Sequence, residues 1–224
     1  SAAPKASLVP SGPVIQENLG KAAPSRTYQD MLKNTHDEAL FEFYTTGQPA
    51  LNKGGVEVKL GKPGTYLALN ASPDKKYFMV RQIQKPFSYL VPVNGFPATV
   101  SITDATGKVV KVLATLPSSE TAPSGFDNIQ NIPRSFSWRA DKPATATWSE
   151  PLDGGLYATK VEFHDAVYAL QAPFTGSPVP LAKTKMRYRG LVWGDDGLAL
   201  LYEGLQRQQK INIHRLNPAT GATE

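Results

Sequence analysis

From Leu40 onward, large apolar residues come in short runs broken by Gly, Pro, Asp and Asn, the rhythm of strands joined by tight turns. Phe41-Glu42-Phe43-Tyr44-Thr45 and Val56-Glu57-Val58-Lys59-Leu60 are β-rich runs. Gly47-Gln48-Pro49, Lys53-Gly54-Gly55 and Lys62-Pro63-Gly64 bound them as turns, which predicts an outer hairpin over about residues 40–60. Upstream, residues 1–25 are rich in Pro, Ala, Gly and Ser without apolar periodicity and read as an extended segment. Thr27 and Asp30 then have the spacing of a capping box. With Tyr28, Met31 and Leu32 on one face, they predict a short helix over 28–33.

Three later segments share one pattern: an apolar strand, an Asp-containing turn, then a second strand of large apolar residues. They run from Leu69 through Asp74 to Val80, from Phe136 through Asp141 to Trp148, and from Leu191 through Asp196 to Tyr202. In each, the Asp falls three residues after Ala71, Trp138 or Trp193. A four-stranded propeller blade pivots its inner strands on such a turn, where Asp accepts hydrogen bonds from the turn backbone. The repeat is longer than the roughly 40–50 residues of compact blades, so long connecting loops are expected. An outer hairpin is visible as well: Ala98–Ile102, the turn Asp104-Ala105-Thr106-Gly107-Lys108, then Val109–Leu113. Blades are expected over about 66–117, 133–184 and 189–221. The predicted fold is all-β, a partial β-propeller of about three to four blades over 26–224. Lys210–His214 leads into a second outer turn, Asn217–Gly221, close to Glu224. The last blade is therefore expected to lack its fourth strand, and its end to be an imposed cut.

Composition alters this picture little. The 224 residues are 41% hydrophobic and 19% charged, and the 19 Pro and 18 Gly suit many turns. The absence of Cys excludes disulfides and thiolate chemistry within the chain and leaves the compartment open, with the periplasm or secretion slightly favoured. No run approaches the roughly 18 uninterrupted apolar residues of a spanning helix. The net charge of +5 comes from scattered Lys and Arg, with no basic helix and no RNA-type aromatic motif. Neither nucleic acid nor a membrane is expected as a partner.

Catalytic motifs are missing from the sequence. It holds no G-x-S-x-G elbow, Walker loop or dinucleotide Gly pattern. His36, His164 and His214 lack zinc-ligand spacing, and no metal or cofactor is expected. His164-Asp165 is compatible with a catalytic dyad or, more simply, with a loop histidine beside an acid. Lys183, Lys185, Arg187 and Arg189 alternate with Thr184, Met186 and Tyr188. On one strand this would set four cations on one face, either an anion-binding stripe for a carboxylate substrate or a solvated outer face. Lys85-Pro86-Phe87-Ser88-Tyr89 is an aromatic loop that could line a channel mouth or pack between blades.

Several stretches carry a family resemblance. Leu8-Val9-Pro10-Ser11-Gly12-Pro13, Arg26–Lys33, Lys85–Pro92, Ser137-Trp138-Arg139-Ala140-Asp141-Lys142-Pro143 and Leu198–Glu203 resemble the glutamyl endopeptidases of plant chloroplasts and their bacterial relatives, in the prolyl oligopeptidase family of serine peptidases. The resemblance runs from about residue 8 to 216. It implies that the chain is interior to an N-terminal propeller, with further blades and an α/β-hydrolase domain as partners and both ends cut. It implies a gating role, admitting peptide substrates and excluding folded proteins, with no catalytic residue in this stretch. Arg187, Lys85 and Tyr89 are then the candidates for substrate contact. A stand-alone interaction scaffold, or a stable domain without a function of its own, are the other readings.

Overall fold

The computed structural model describes residues 2–5, 28, 30–195 and 197–224. It holds one α-helix, α1 (Thr35–Thr45), followed by strands β1 (Thr46–Gly47), β2 (Ala50–Lys53), β3 (Val56–Lys59), β4 (Gly64–Ala71), β5 (Tyr77–Ile83), β6 (Ala98–Asp104) and β7 (Val109–Leu116). Next come β8 (Arg134–Trp138), β9 (Thr145–Pro151), β10 (Asp165–Gln171), β11 (Val179–Thr184), β12 (Arg187–Asp195), β13 (Leu198–Leu205) and β14 (Lys210–Leu216). All pairings are antiparallel. Three sheets have the orders β1-β4-β5-β6-β7, β11-β10-β9-β8 and β12-β13-β14, and β2-β3 is a separate hairpin. The fold is all-β, made of propeller-like blades.

The helix lies elsewhere than the sequence predicts. Residues 30–33 are not helical; Thr27 and Gln29 lie outside the described residues. The helix instead takes in the run 41–45 expected as a strand, so the hairpin is confined to β2 and β3. Asn34 caps it, its side chain accepting from the Asp37 N–H at 2.9 Å. Phe41 then packs edge-on against Phe87 and Phe96, with centroids 5.0 and 5.7 Å away. Tertiary packing of the aromatic side of α1 outweighs the strand propensity of Phe, Tyr and Thr.

The sheets stack face to face. Met79, Ile83, Ala98, Val100 and Ile102 of the first sheet pack with Trp138, Ala146, Trp148 and Leu170 of the second and with Phe174 in the turn after β10. The opposite face of the second sheet, through Val167 and Leu181, meets Tyr188, Ala199, Leu201 and Leu216 of the third. On the first sheet's far side, Phe78 and Val80 are covered by Leu51 of β2 and by Leu60 just after β3. The third sheet's far side is open, and Val192, Ile211 and Ile213 there are 55%, 67% and 57% exposed.

Asp74 lies in the turn between β4 and β5 and Asp141 in the turn between β8 and β9, each joining two neighbouring strands of its sheet, while Asp196 lies outside the described residues. The Asp74 carboxylate accepts from Ser72 Oγ at 2.6 Å and the Lys76 N–H at 3.1 Å. Asp141 is instead held by both ends of the Arg139 guanidinium, at 3.0 and 2.6 Å. The Ser-Trp-Arg-Ala-Asp stretch joins all three sheets. Trp138 Nε1 donates to the Asn70 carbonyl in the first at 2.9 Å, and Arg139 lies 4.3 Å over the Trp193 ring of the third. After β14 the chain turns at Asn217–Gly221 and comes back. Arg215 and Glu224 exchange two backbone hydrogen bonds, both 2.9 Å, so the expected open edge of β14 is paired over its last residues.

Candidate functional site

The largest concentration of buried charge lies between the second and third sheets. Strand β12 begins at Arg187 and aims its guanidinium back at the second sheet, where it is 2% exposed. Asp153 takes it as a fork, accepting from Nη1 at 3.1 Å and Nη2 at 2.7 Å. Nη1 also reaches Asp165 Oδ1 at 3.2 Å, and Nε donates to the Asp127 carbonyl at 2.7 Å. Asp165, the first residue of β10, is fully buried and also accepts from Arg134 Nη2 and, at 2.7 Å, from the Tyr188 N–H. Every charge in the cluster faces an opposite one. That is the condition under which buried ions are tolerated.

His164 completes the group. Its Nδ1 is 2.7 Å from Asp153 Oδ2 and its ring stacks on Tyr157 at 4.1 Å. Tyr157 also lies under the Arg187 guanidinium, 5.5 Å away. Burial works to raise the Asp153 pKa. Hydrogen bonds from Arg187, His164 and the Gly155 N–H outweigh it and hold the carboxyl below its ordinary range. His164 is thus paired with Asp153 and not with its neighbour Asp165, and no Ser or Thr hydroxyl bonds to its ring among the described residues. A triad needs a nucleophile within hydrogen-bond reach of the imidazole, and the cluster offers none. Also among the described residues, no group of three or more potential ligands could hold a metal ion.

Asp127 extends the cluster to the surface. With φ at 64°, its carboxylate accepts from the Gln206 N–H at 2.7 Å and the Arg207 N–H at 3.3 Å, and lies 3.5 Å from Arg189 Nη2. The connection between the first and second sheets is in this way tied to the third.

The expected stripe of four cations on one strand does not form. Strand β11 ends at Thr184 and β12 starts at Arg187, so 183–189 crosses from the second sheet to the third. Lys183, Lys185 and Arg189 are exposed while Arg187 is buried. Lys85 and Tyr89 belong to a different place, both touching α1. Lys85 Nζ is 2.8 Å from Glu42 Oε2, and Tyr89 Oη donates to Glu38 Oε2 at 3.0 Å. Phe87 between them stacks on Phe96. Asp153, Tyr157 and Asp127 are not singled out by the sequence. The Asp153-Gly154-Gly155 turn is the one local signal, and it says nothing of a partner 34 residues away.

No protein-family model matches the chain. A solved structure of an uncharacterized Listeria monocytogenes protein aligns at 12% identity with a TM-score of 0.41, covering 80% of this chain and 50% of that one. That likeness is too distant to bear on function. Sequence comparison reaches further. A protein of Oryza sativa subsp. japonica, named as a probable chloroplastic glutamyl endopeptidase, is 38% identical over 221 residues, 97% of this chain and 24% of its own length. One of the same name from Arabidopsis thaliana is 37% identical over 97% of this chain and 23% of its own length. By its sequence, this chain is a homologue of the plant glutamyl endopeptidases and spans about a quarter of their length.

Proposed function

We propose that the chain is a non-catalytic part of a propeller that gates peptide access to the hydrolase domain of a larger serine peptidase of the prolyl oligopeptidase type. The observation that carries this reading is the open far face of the third sheet. Stacked blades bury both faces, and here Val192, Ile211 and Ile213 are left in solvent on a sheet whose other face is packed. Such a face supports a further blade, as the greater length of the homologues does. The lack of a nucleophile elbow in the sequence and of a nucleophile beside His164 supports the hydrolytic residues lying elsewhere. In this reading Lys85 and Tyr89 are the candidates for contact with the peptide, and Arg187 contributes by fixing the blade junction.

The test has two arms. The 224-residue chain should not turn over a Glu-containing peptide; turnover abolished by a point change within the chain ends the non-catalytic reading. The full-length protein should cleave an unfolded Glu-containing polypeptide and spare the same polypeptide when folded. Equal cleavage of both ends the gating reading.

A further inference from the structure

A cleft of about 580 Å3 opens between the loop that follows the β2–β3 hairpin and the far face of the first sheet. Its size is that of a small-molecule site, for which roughly 300–1,000 Å3 is usual. We infer that it binds a small organic anion with an apolar body, the anionic group held by Lys59, Lys62 and Lys108 and the body lying on Leu60 and Val80.

The charge comes first. Lys59, Lys62 and Lys108 all line the cleft, and among the described residues no Asp or Glu does. None of the three forms an ion pair with a described carboxylate. The acid nearest Lys108 in sequence, Asp104, is occupied by the Thr106 N–H and hydroxyl and by the Lys108 N–H, at 2.8, 2.6 and 3.1 Å, and Glu57, two residues before Lys59, forms no ion pair with it. Three lysines around one concavity, none of them held in an ion pair, favour an anion.

Polarity and shape agree. Ser101 and Thr103 of β6 line the cleft beside the apolar surface of Leu60 and Val80. Thr103 is only 7% exposed and forms part of the cleft's floor. The walls are held in place without a ligand. Gly107 packs so closely on the facing loop that a Cβ there would sit 2.3 Å from the Gly61 nitrogen. The Leu60 N–H bonds to the Pro49 carbonyl at 2.7 Å, and Tyr66 Oη donates to the Lys62 carbonyl. A preformed cleft loses little ordering entropy on binding.

The experiment is an NMR titration of the 224-residue chain with octanoate and with octyl phosphate, with octyl glucoside as the uncharged control. Saturable shifts of the Gly61, Ser101, Thr103 and Gly107 amides are expected with either anion and not with the glucoside; the stronger of the two anions identifies the preferred head group. The triple variant Lys59→Gln, Lys62→Gln, Lys108→Gln should bind about tenfold more weakly, from the loss of three exposed charge pairs. Absence of saturable shifts, equal response to octyl glucoside, or undiminished binding by the triple variant overturns the assignment.

Discussion

Replacing Arg187 with Met tests whether the junction between the second and third sheets depends on its buried charges. Met fills much of the volume but leaves Asp153 and Asp165 facing each other without the guanidinium that lies 2.7 Å from one and 3.2 Å from the other. Removing one partner of a buried ion pair costs about 3–5 kcal/mol. For a domain of this size each kcal/mol moves Tm by about 2–4 °C, so a fall of roughly 10 °C is expected at pH 7. Arg187→Lys keeps the charge but loses the fork and should fall between the two. The pH dependence separates this from simple loss of packing. In the parent, Asp153 has a depressed pKa, so its contribution is full above the ordinary carboxylate range and is lost as pH falls through the folded value, below about 4. In the Met variant the same carboxyl is buried with fewer donors and its pKa rises, so acid relieves the variant first. The gap in Tm should therefore narrow between pH 7 and pH 4, as followed by calorimetry. A gap under about 2 °C at pH 7, or one that stays constant with pH, refutes the reasoning.

Trp138→Phe removes the hydrogen bond from the indole to the Asn70 carbonyl while keeping an aromatic ring in the core; urea unfolding should show a loss of about 1 kcal/mol, and an unchanged midpoint would mean that this bond between sheets carries no stability. Ile211→Lys with Ile213→Lys places charges on the open face of the third sheet. The pair should leave the unfolding midpoint within about 0.5 kcal/mol of the parent and abolish concentration-dependent self-association in sedimentation velocity, whereas a parent that stays monomeric at all concentrations would show that the face is not adhesive.

Local chemistry made the blades legible. Asp74 and Asp104 announce turns because each carboxylate accepts from N–H groups within four residues, and apolar runs on either side then fall into register. The helix was harder to see, because Phe41–Thr45 has the composition of a strand and only the Asn34 cap and the aromatic packing of Phe41 decide otherwise. The alternation at 183–189 looked like one strand because period two says nothing of where a chain leaves a sheet. Lys185 and Met186 are that crossing. The buried cluster was illegible for a further reason: Arg187 meets Asp165 22 residues away and Asp153 34 residues away, and no local pattern encodes such a meeting.

The ties of Asp127 bear on the order in which the chain folds. Hairpins close over a few residues and can form early, whereas Asp127 meets Arg187, Gln206 and Arg207 across 60, 79 and 80 residues. Loops of that length are entropically costly to close and tend to close late. The segment around Asp127 is therefore expected to settle after the third sheet exists to receive it. It includes the Ile129 N–H, bonded to the Gly155 carbonyl at 2.9 Å. Slow hydrogen exchange at Ile129 would then report on the most distant strands of the chain. A linker between two blades acts as the latch that registers completion of the third.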